Sequence, residues 1–219
     1  MPQELFDGNK KVNTSILSAA ERRLVAALTP RVPRFLNGVN LTLLALLWSA
    51  AVIYFSYQAA LDIRWLWGAS AMMALHWLTD SLDGAVGRHR SSGLVRWGFY
   101  MDHLLDLVFA SSVFLGYAFL VNPASQLILF AFFIAFTILT ASLFLSFPAY
   151  KGFIIGQFGI GPTEFRILII MLNAAIIYLG VAWFEKALPY LVLLLFVYAF
   201  MLVYRTQRDM YHLDMRERK

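Results

Sequence analysis

Cysteine is absent from the chain, which excludes disulfides and thiolate metal sites and leaves only oxygen or imidazole donors for a metal. Charge is scarce as well: Asp, Glu, Lys and Arg make up 14% of the 219 residues, against 60% hydrophobic residues and a mean hydropathy of +0.67. So little charge excludes a soluble globular domain of this length and points to an integral membrane protein. Internal repeats and low-complexity tracts are also lacking. The net charge of +5 marks a cytoplasmic face and anionic headgroups in such a protein, and no nucleic-acid partner is expected. Residues 1–37 are polar and longer than a signal-peptide n-region, and the apolar run after them is long enough to span, so a retained anchor is expected there.

What the sequence has in quantity is long apolar runs. A hydrocarbon core about 30 Å thick needs roughly 20 apolar residues of helix, and six stretches supply them: about 40–61, 65–87, 98–121, 125–147, 162–184 and 187–205. The expected fold is an all-α integral membrane protein with six transmembrane helices and an N-terminal cytoplasmic amphipathic helix. Residues 1–39 form the N-terminal segment, 40–206 the six-helix domain and 207–219 a basic tail. Lys10, Lys11, Arg22, Arg23, Arg31 and Arg34 precede the first span, and Arg88, Arg90 and Arg96 lie between the second and third. Lys151 and Arg166 flank the fifth, and Arg205, Arg208, Arg216, Arg218 and Lys219 close the chain, whereas Arg64 and Lys186 fall on the opposite side. The positive-inside rule therefore places both termini in the cytoplasm. SAAERRLVAAL, residues 18–28, offers Ser18 and Glu21 as a capping box, with Leu17, Leu24 and Leu28 on one side, Arg22 and Arg23 on the other, and Pro30 and Pro33 as stops. FPAYKGFIIGQFGIGP, residues 147–162, reads as a loop that ends with Pro162 in the first turn of the next helix.

Four aspartates interrupt this apolar pattern. Residues three or four apart share a helix face, so Asp80, Asp83 and Gly84 group near the cytoplasmic end of the second span, with Gly87 and Arg88 a turn further on. Asp102 and Asp106 share a face of the third, with Gly98 on the same stripe. If these two helices are antiparallel neighbours, four carboxylates converge. One carboxylate inside a membrane helix costs roughly 2.5–3.5 kcal/mol, so four without compensation cost on the order of 10 kcal/mol. Arg88, Arg90 and Arg96 are too few and too solvated to offset that. Hard oxygen donors suit two divalent cations, Mg2+ or Mn2+, and a metal pair clamps both sides of a phosphoryl transfer. Gly84 and Gly98 allow close approach to the backbone, and the fork of Arg88 suits phosphate oxygens. The plainer reading of these three is helix packing and a cytoplasmic marker.

The pattern Asp80-x2-Asp83-Gly84-x2-Gly87-Arg88-x9-Gly98-x3-Asp102-x3-Asp106 resembles the signature of the CDP-alcohol phosphotransferase (CDP-alcohol phosphatidyltransferase) family, D-x2-D-G-x2-A-R-x8 or 9-G-x3-D-x3-D. Its one departure is Gly87, where the family has Ala. Asn40 to Thr42 resembles, less closely, a P-N-x-L-T segment of the first span. The resemblance implies a phospholipid-biosynthesis enzyme, commonly a homodimer in the bilayer, with its active site on the cytoplasmic side. Such an enzyme moves a substituted phosphoryl group from a CDP-alcohol donor to an acceptor alcohol and releases CMP. Asp80, Asp83 and Asp102 match its metal ligands, and Asp106 matches a metal ligand also proposed as the base. Gly84, Arg88 and Gly98 match positions around the nucleotide, with Thr42 lining it. His103, next to Asp102, is the alternative catalytic base.

His76, a turn deeper than Asp80, is expected to support the site through a hydrogen bond or to pack as a core histidine. Thr163, Glu164 and Arg166 are near enough in topology to reach the same cavity. Asp102-His103 and the Thr-Glu pair are similar to features of the choline and ethanolamine phosphotransferase branch, whose donors are CDP-aminoalcohols. A small enzyme using CDP-diacylglycerol and a polar acceptor is the other option. Two rivals stand beside the main reading: an intramembrane prenyl-diphosphate transferase, and a cation- or proton-coupled transporter with the aspartates as its ion site.

Overall fold

A computed structural model describes residues 11–13, 17–92, 94–150, 153–155 and 162–217. Seven α-helices dominate: α1 (Ser18–Leu28), α2 (Gly38–Ala59), α3 (Leu66–His89), α4 (Val95–Ala118), α5 (Pro123–Tyr150), α6 (Pro162–Leu179) and α7 (Val181–Glu217). Short 3-10 turns at Thr29–Arg31 and Ile63–Trp65, and three-residue strands at Lys11–Asn13 and Phe153–Ile155, complete the regular structure among the described residues. Helices α2, α4, α5, α6 and α7 are long and apolar enough to cross a membrane. Helix α3 has the length, but His76, Asp80, Asp83, Arg88 and His89 interrupt its apolar run, and it is not among those five.

Local chemistry explains where the helices begin and end. The side chain of Asn37 accepts from the Asn40 N–H at 2.8 Å and caps α2. Pro162 opens α6, as its position requires, and Gly180, with φ of +87°, ends it. That break corrects the expected spans 162–184 and 187–205: Trp183 and Phe184 belong to α7, which runs on past residue 207 to Glu217. Pro189 lies in the third turn of α7 without ending it. The expected loop from residue 147 also starts later, because α5 continues through Pro148 to Tyr150. Of the glycine-rich stretch, residues 151–152 and 156–161 lie outside the described residues, as do Lys10, Arg218 and Lys219.

The chain forms two units, Met1–Leu120 with Ile154–Tyr178, and Val121–Phe153 with Leu179–Lys219. In the first, α2 packs closely along both α3 and α4. A stripe of small residues on α2, Ala45, Ser49, Ser56 and Ala59, is buried there and lets backbones approach. Gly116 of α4 sits so near Ser56 that an added Cβ would lie 2.5 Å from its Oγ. The expectation that α3 and α4 lie directly against one another is thereby modified: α2 supplies the close backbone packing to each, and α3 and α4 meet through side chains such as His76 on Phe109. In the second unit α5 packs on α7, and Glu185 accepts from the Asn122 N–H at 2.6 Å.

Helix α1 carries a further correction. No side-chain cap forms at its N-terminus, where Leu17 is the N-cap, so Ser18 and Glu21 are not a capping box. Glu21 instead accepts from Thr163 Oγ1 at 2.8 Å and Ser81 Oγ at 3.3 Å, bonds inside the protein that a capping role would forgo. The inward face holds Ser18, Glu21, Val25 and Leu28, whereas Leu24 is exposed alongside Arg22 and Arg23. Val25 and Leu28 pack against the buried cluster of Leu41, Leu82 and Val86. Beyond α1 the Arg90 guanidinium donates to the carbonyls of Val32 and Leu36 at 2.7 and 2.8 Å, fastening the linker before α2 to the end of α3.

Candidate active site

Within the first unit, α2, α3 and α4 form a small open pocket lined by Leu41, Thr42, Ala45, His76, Thr79, Asp80, Asp83, Asp102, Leu105 and Asp106. The four aspartates of the motif thus share one cavity. One oxygen each from Asp80, Asp102 and Asp106 lies within 4.8 Å of the others, close enough for three hard donors to share one divalent cation. Asp83 stands apart from that cluster: its Oδ2 accepts from Thr42 Oγ1 at 2.6 Å. The donor set, all carboxylate oxygen, fits Mg2+ or Mn2+.

Among the charges near these carboxylates the structure brings forward Arg166, which the sequence puts only near the cavity. Its Nη1 donates to Asp80 Oδ2 at 2.7 Å and its Nη2 to Asp106 Oδ1 at 2.8 Å, with the side chain 13% exposed. A guanidinium fork spanning two carboxylates offsets part of their burial cost. Arg166 lies 60 and 86 residues from its partners, so no local spacing could have paired them; a lone Arg in the second turn of an apolar helix was the available signal. The first turn of α6 faces α1: Thr163 Oγ1 donates to Glu21 and accepts from Trp77 Nε1 at 3.1 Å, and Glu164 accepts from the Leu17 N–H at 2.8 Å.

The remaining expected residues are placed as follows. Arg88 folds back over Gly84, with Nη1 3.3 Å from where a Cβ on that glycine would stand. Among the described residues nothing lies within 4 Å of such a Cβ at Gly98. Gly87, the departure from the motif, lies against Gly38: a Cβ on Gly38 would be 3.4 Å from the Gly87 Cα and 3.1 Å from the Asp83 carbonyl. His103 sits outside the pocket lining; its Nδ1 lies 2.8 Å from the Phe99 carbonyl and 3.6 Å from an Asp102 oxygen, and its ring rests on Phe99. His76, 1% exposed, lines the pocket, stacks on Phe109 at 3.7 Å and has no hydrogen-bond partner at Nδ1 among the described residues. An orphaned buried nitrogen at a polar cavity is the place where a bound water or ligand group gains most.

Comparison with known proteins gives the chemistry its family. No curated protein and no solved structure matches the chain. The sequence model for CDP-alcohol phosphatidyltransferase matches residues 35–205, a span that contains all eight motif positions, Thr42 and Arg166. This takes the place of the prenyl-transferase and transporter readings: the chain belongs to the CDP-alcohol phosphatidyltransferase family.

Proposed function

We propose that this protein transfers a substituted phosphoryl group from a CDP-linked alcohol to an acceptor alcohol, releasing CMP, with divalent cations held by its motif aspartates. The observation that carries the reading is the convergence of Asp80, Asp102 and Asp106 at one pocket in a chain of this family. Asp83, lining the same pocket, is the fourth carboxylate and would complete a second cation's ligands. The cations, Mg2+ or Mn2+, would supply positive charge to the diphosphate oxygens. Arg88, beside Gly84, holds a phosphate from the same side, and Thr42, Gly84 and Gly98 shape the nucleotide's place.

Asp106 is the group we assign to take the acceptor's hydroxyl proton. Its side chain is 40% exposed, against 21% for Asp80 and 19% for Asp102, so an incoming hydroxyl reaches it most readily. His103 is the second choice, because it lies outside the pocket lining. Of the features that suggested a CDP-aminoalcohol donor, His103 lies outside the pocket lining, and Thr163 and Glu164 bond to α1. CDP-diacylglycerol with a polar acceptor is therefore the donor we place first. Helix α3 makes the sixth span, the termini and the pocket face the cytoplasm, and two copies associate in the bilayer.

The test is CMP release by purified protein in detergent with Mg2+, given CDP-diacylglycerol in one arm and CDP-choline or CDP-ethanolamine in another, each with candidate acceptor alcohols. Asp102→Asn should remain folded and lose at least about a hundredfold in rate. Full CMP release by that variant, or none by the wild type with any CDP-alcohol, would refute the proposal.

A further inference from the structure

The two bonds of Arg166 fall on carboxylates that the site also needs for a cation. Asp80 Oδ2 and Asp106 Oδ1 each accept from the guanidinium at under 3 Å, and both residues belong to the three-aspartate cluster. Arginine keeps its charge at any accessible pH, so it cannot step aside by losing a proton. It gives way only by moving. A guanidinium and a divalent cation drawn to the same carboxylates repel each other, most strongly where water is scarce, and the Arg166 side chain is only 13% exposed. The base of that side chain is well held, because Thr163 and Glu164, a turn earlier on α6, are bonded to Glu21 and the Leu17 N–H. The tip has one flexible stem along which to swing.

We propose that Arg166 is a built-in counter-cation that competes with the divalent cation for Asp80 and Asp106, and that cation binding frees its guanidinium within the same pocket. This rests on reading the aspartate cluster as the metal site. The device meets two needs with one side chain. It neutralises buried carboxylates while the protein folds and inserts, when an unpaired cluster is most costly. It then presents a planar, five-donor group to the substrate phosphates once the cation has taken over the carboxylates. Cation affinity is reduced by the fraction of the time that Arg166 holds the site, as for any ligand whose competent state is partly populated.

The experiment measures Mn2+ binding to the full chain in detergent, without nucleotide, by the loss of the free-ion electron paramagnetic resonance signal. Arg166→Gln should bind Mn2+ roughly tenfold or more tightly than wild type, while Asp102→Asn binds weakly in both backgrounds. Arg166→Lys, a single point charge that cannot fork across two carboxylates, should fall between. Unchanged or weaker Mn2+ binding by Arg166→Gln overturns the competition and makes Arg166 an aligner of the carboxylates. Absence of Mn2+ binding in both wild type and Arg166→Gln overturns the metal reading itself. A second measurement needs no variant: in the wild type, Mn2+ should speed phenylglyoxal modification of Arg166, read by peptide mass. Slower or unchanged modification counts against release of the guanidinium.

Discussion

The hydroxyl of Thr42 donates to Asp83 across 2.6 Å, joining α2 to α3 at the wall of the aspartate pocket. The same hydroxyl lies 3.0 Å from the Gly38 carbonyl, so its position is set by its own helix and its direction by Asp83. A carboxylate oriented this way presents a fixed oxygen to whatever enters the pocket, and such supporting bonds typically govern metal affinity by 10–100-fold. Thr42→Val, which keeps the shape and removes the hydroxyl, should lower turnover by about that factor, whereas Thr42→Ser should retain most of it. CMP release at saturating and limiting Mg2+ separates the cases: a loss that more Mg2+ restores assigns the bond to cation binding.

Glu21 ties three elements together through Thr163 of α6 and Ser81 of α3, and Ser81 is the residue after Asp80. Glu21→Ala leaves two partly buried hydroxyls without their acceptor and should destabilise the protein by about 1–3 kcal/mol. Turnover should fall with it, because the first turn of α6, from which Arg166 extends, loses its anchor. Glu21→Gln keeps an acceptor oxygen and should recover most of both losses. Thermal unfolding in detergent and CMP release measured on the same samples check this; equal damage from Gln and Ala would mean that the charge, not the acceptor, matters.

Far from the aspartates, Asn173 makes a buried polar relay. It accepts from Tyr117 Oη at 2.6 Å and donates to Ser70 Oγ at 2.9 Å, and it is fully buried, linking α3, α4 and α6. Interhelical hydrogen bonds in membranes are worth about 0.6 kcal/mol on average and up to about 1.7. Asn173→Leu removes both of these bonds, so the unfolding temperature should drop while CMP release per folded molecule stays close to wild type. A selective loss of turnover without loss of stability would contradict this placement.

Two glycines make a matched pair of tests. Among the described residues a methyl at Gly98 meets nothing within 4 Å, whereas one at Gly38 meets the Asp83 carbonyl at 3.1 Å. Gly98→Ala should therefore leave stability unchanged or raise it by up to about 1 kcal/mol through helix propensity, and Gly38→Ala should lower it. If the nucleotide approaches Gly98, the alanine variant will show a raised KM for the CDP-alcohol in an undiminished fold. An unchanged KM would remove Gly98 from the nucleotide's surroundings.

Helical period made much of this molecule legible in advance. The spacing of Asp80 and Asp83, and of Asp102 and Asp106, placed each pair on one helix face, and both pairs do line one pocket. Apolar runs located α2 through α5 to within a few residues, and Pro162 marked the start of α6. The errors lie where a local signal had a distant competitor. Ser18 and Glu21 carry the spacing of a capping box, yet Glu21 spends its carboxylate on Thr163 and Ser81. Leu24 suits an inward face, yet the inward face is chosen by what Leu41, Leu82 and Val86 present. Gly180 escaped notice because the apolar character of the chain continues across it, and only its positive φ ends α6.

The sequence by itself determined the membrane class, most of the helix positions and the family chemistry, because apolar length and i, i+3, i+4 spacing are local properties that survive any arrangement of the helices. Tertiary structure alone decided that α2 packs on both α3 and α4, that Asp83 turns to Thr42 while its three fellows converge, and that Arg166 spans Asp80 and Asp106. Those pairings join residues 41 to 86 positions apart. Nothing in the spacing encodes them; they follow from which polar groups the packed helices leave to satisfy one another where water and lipid cannot.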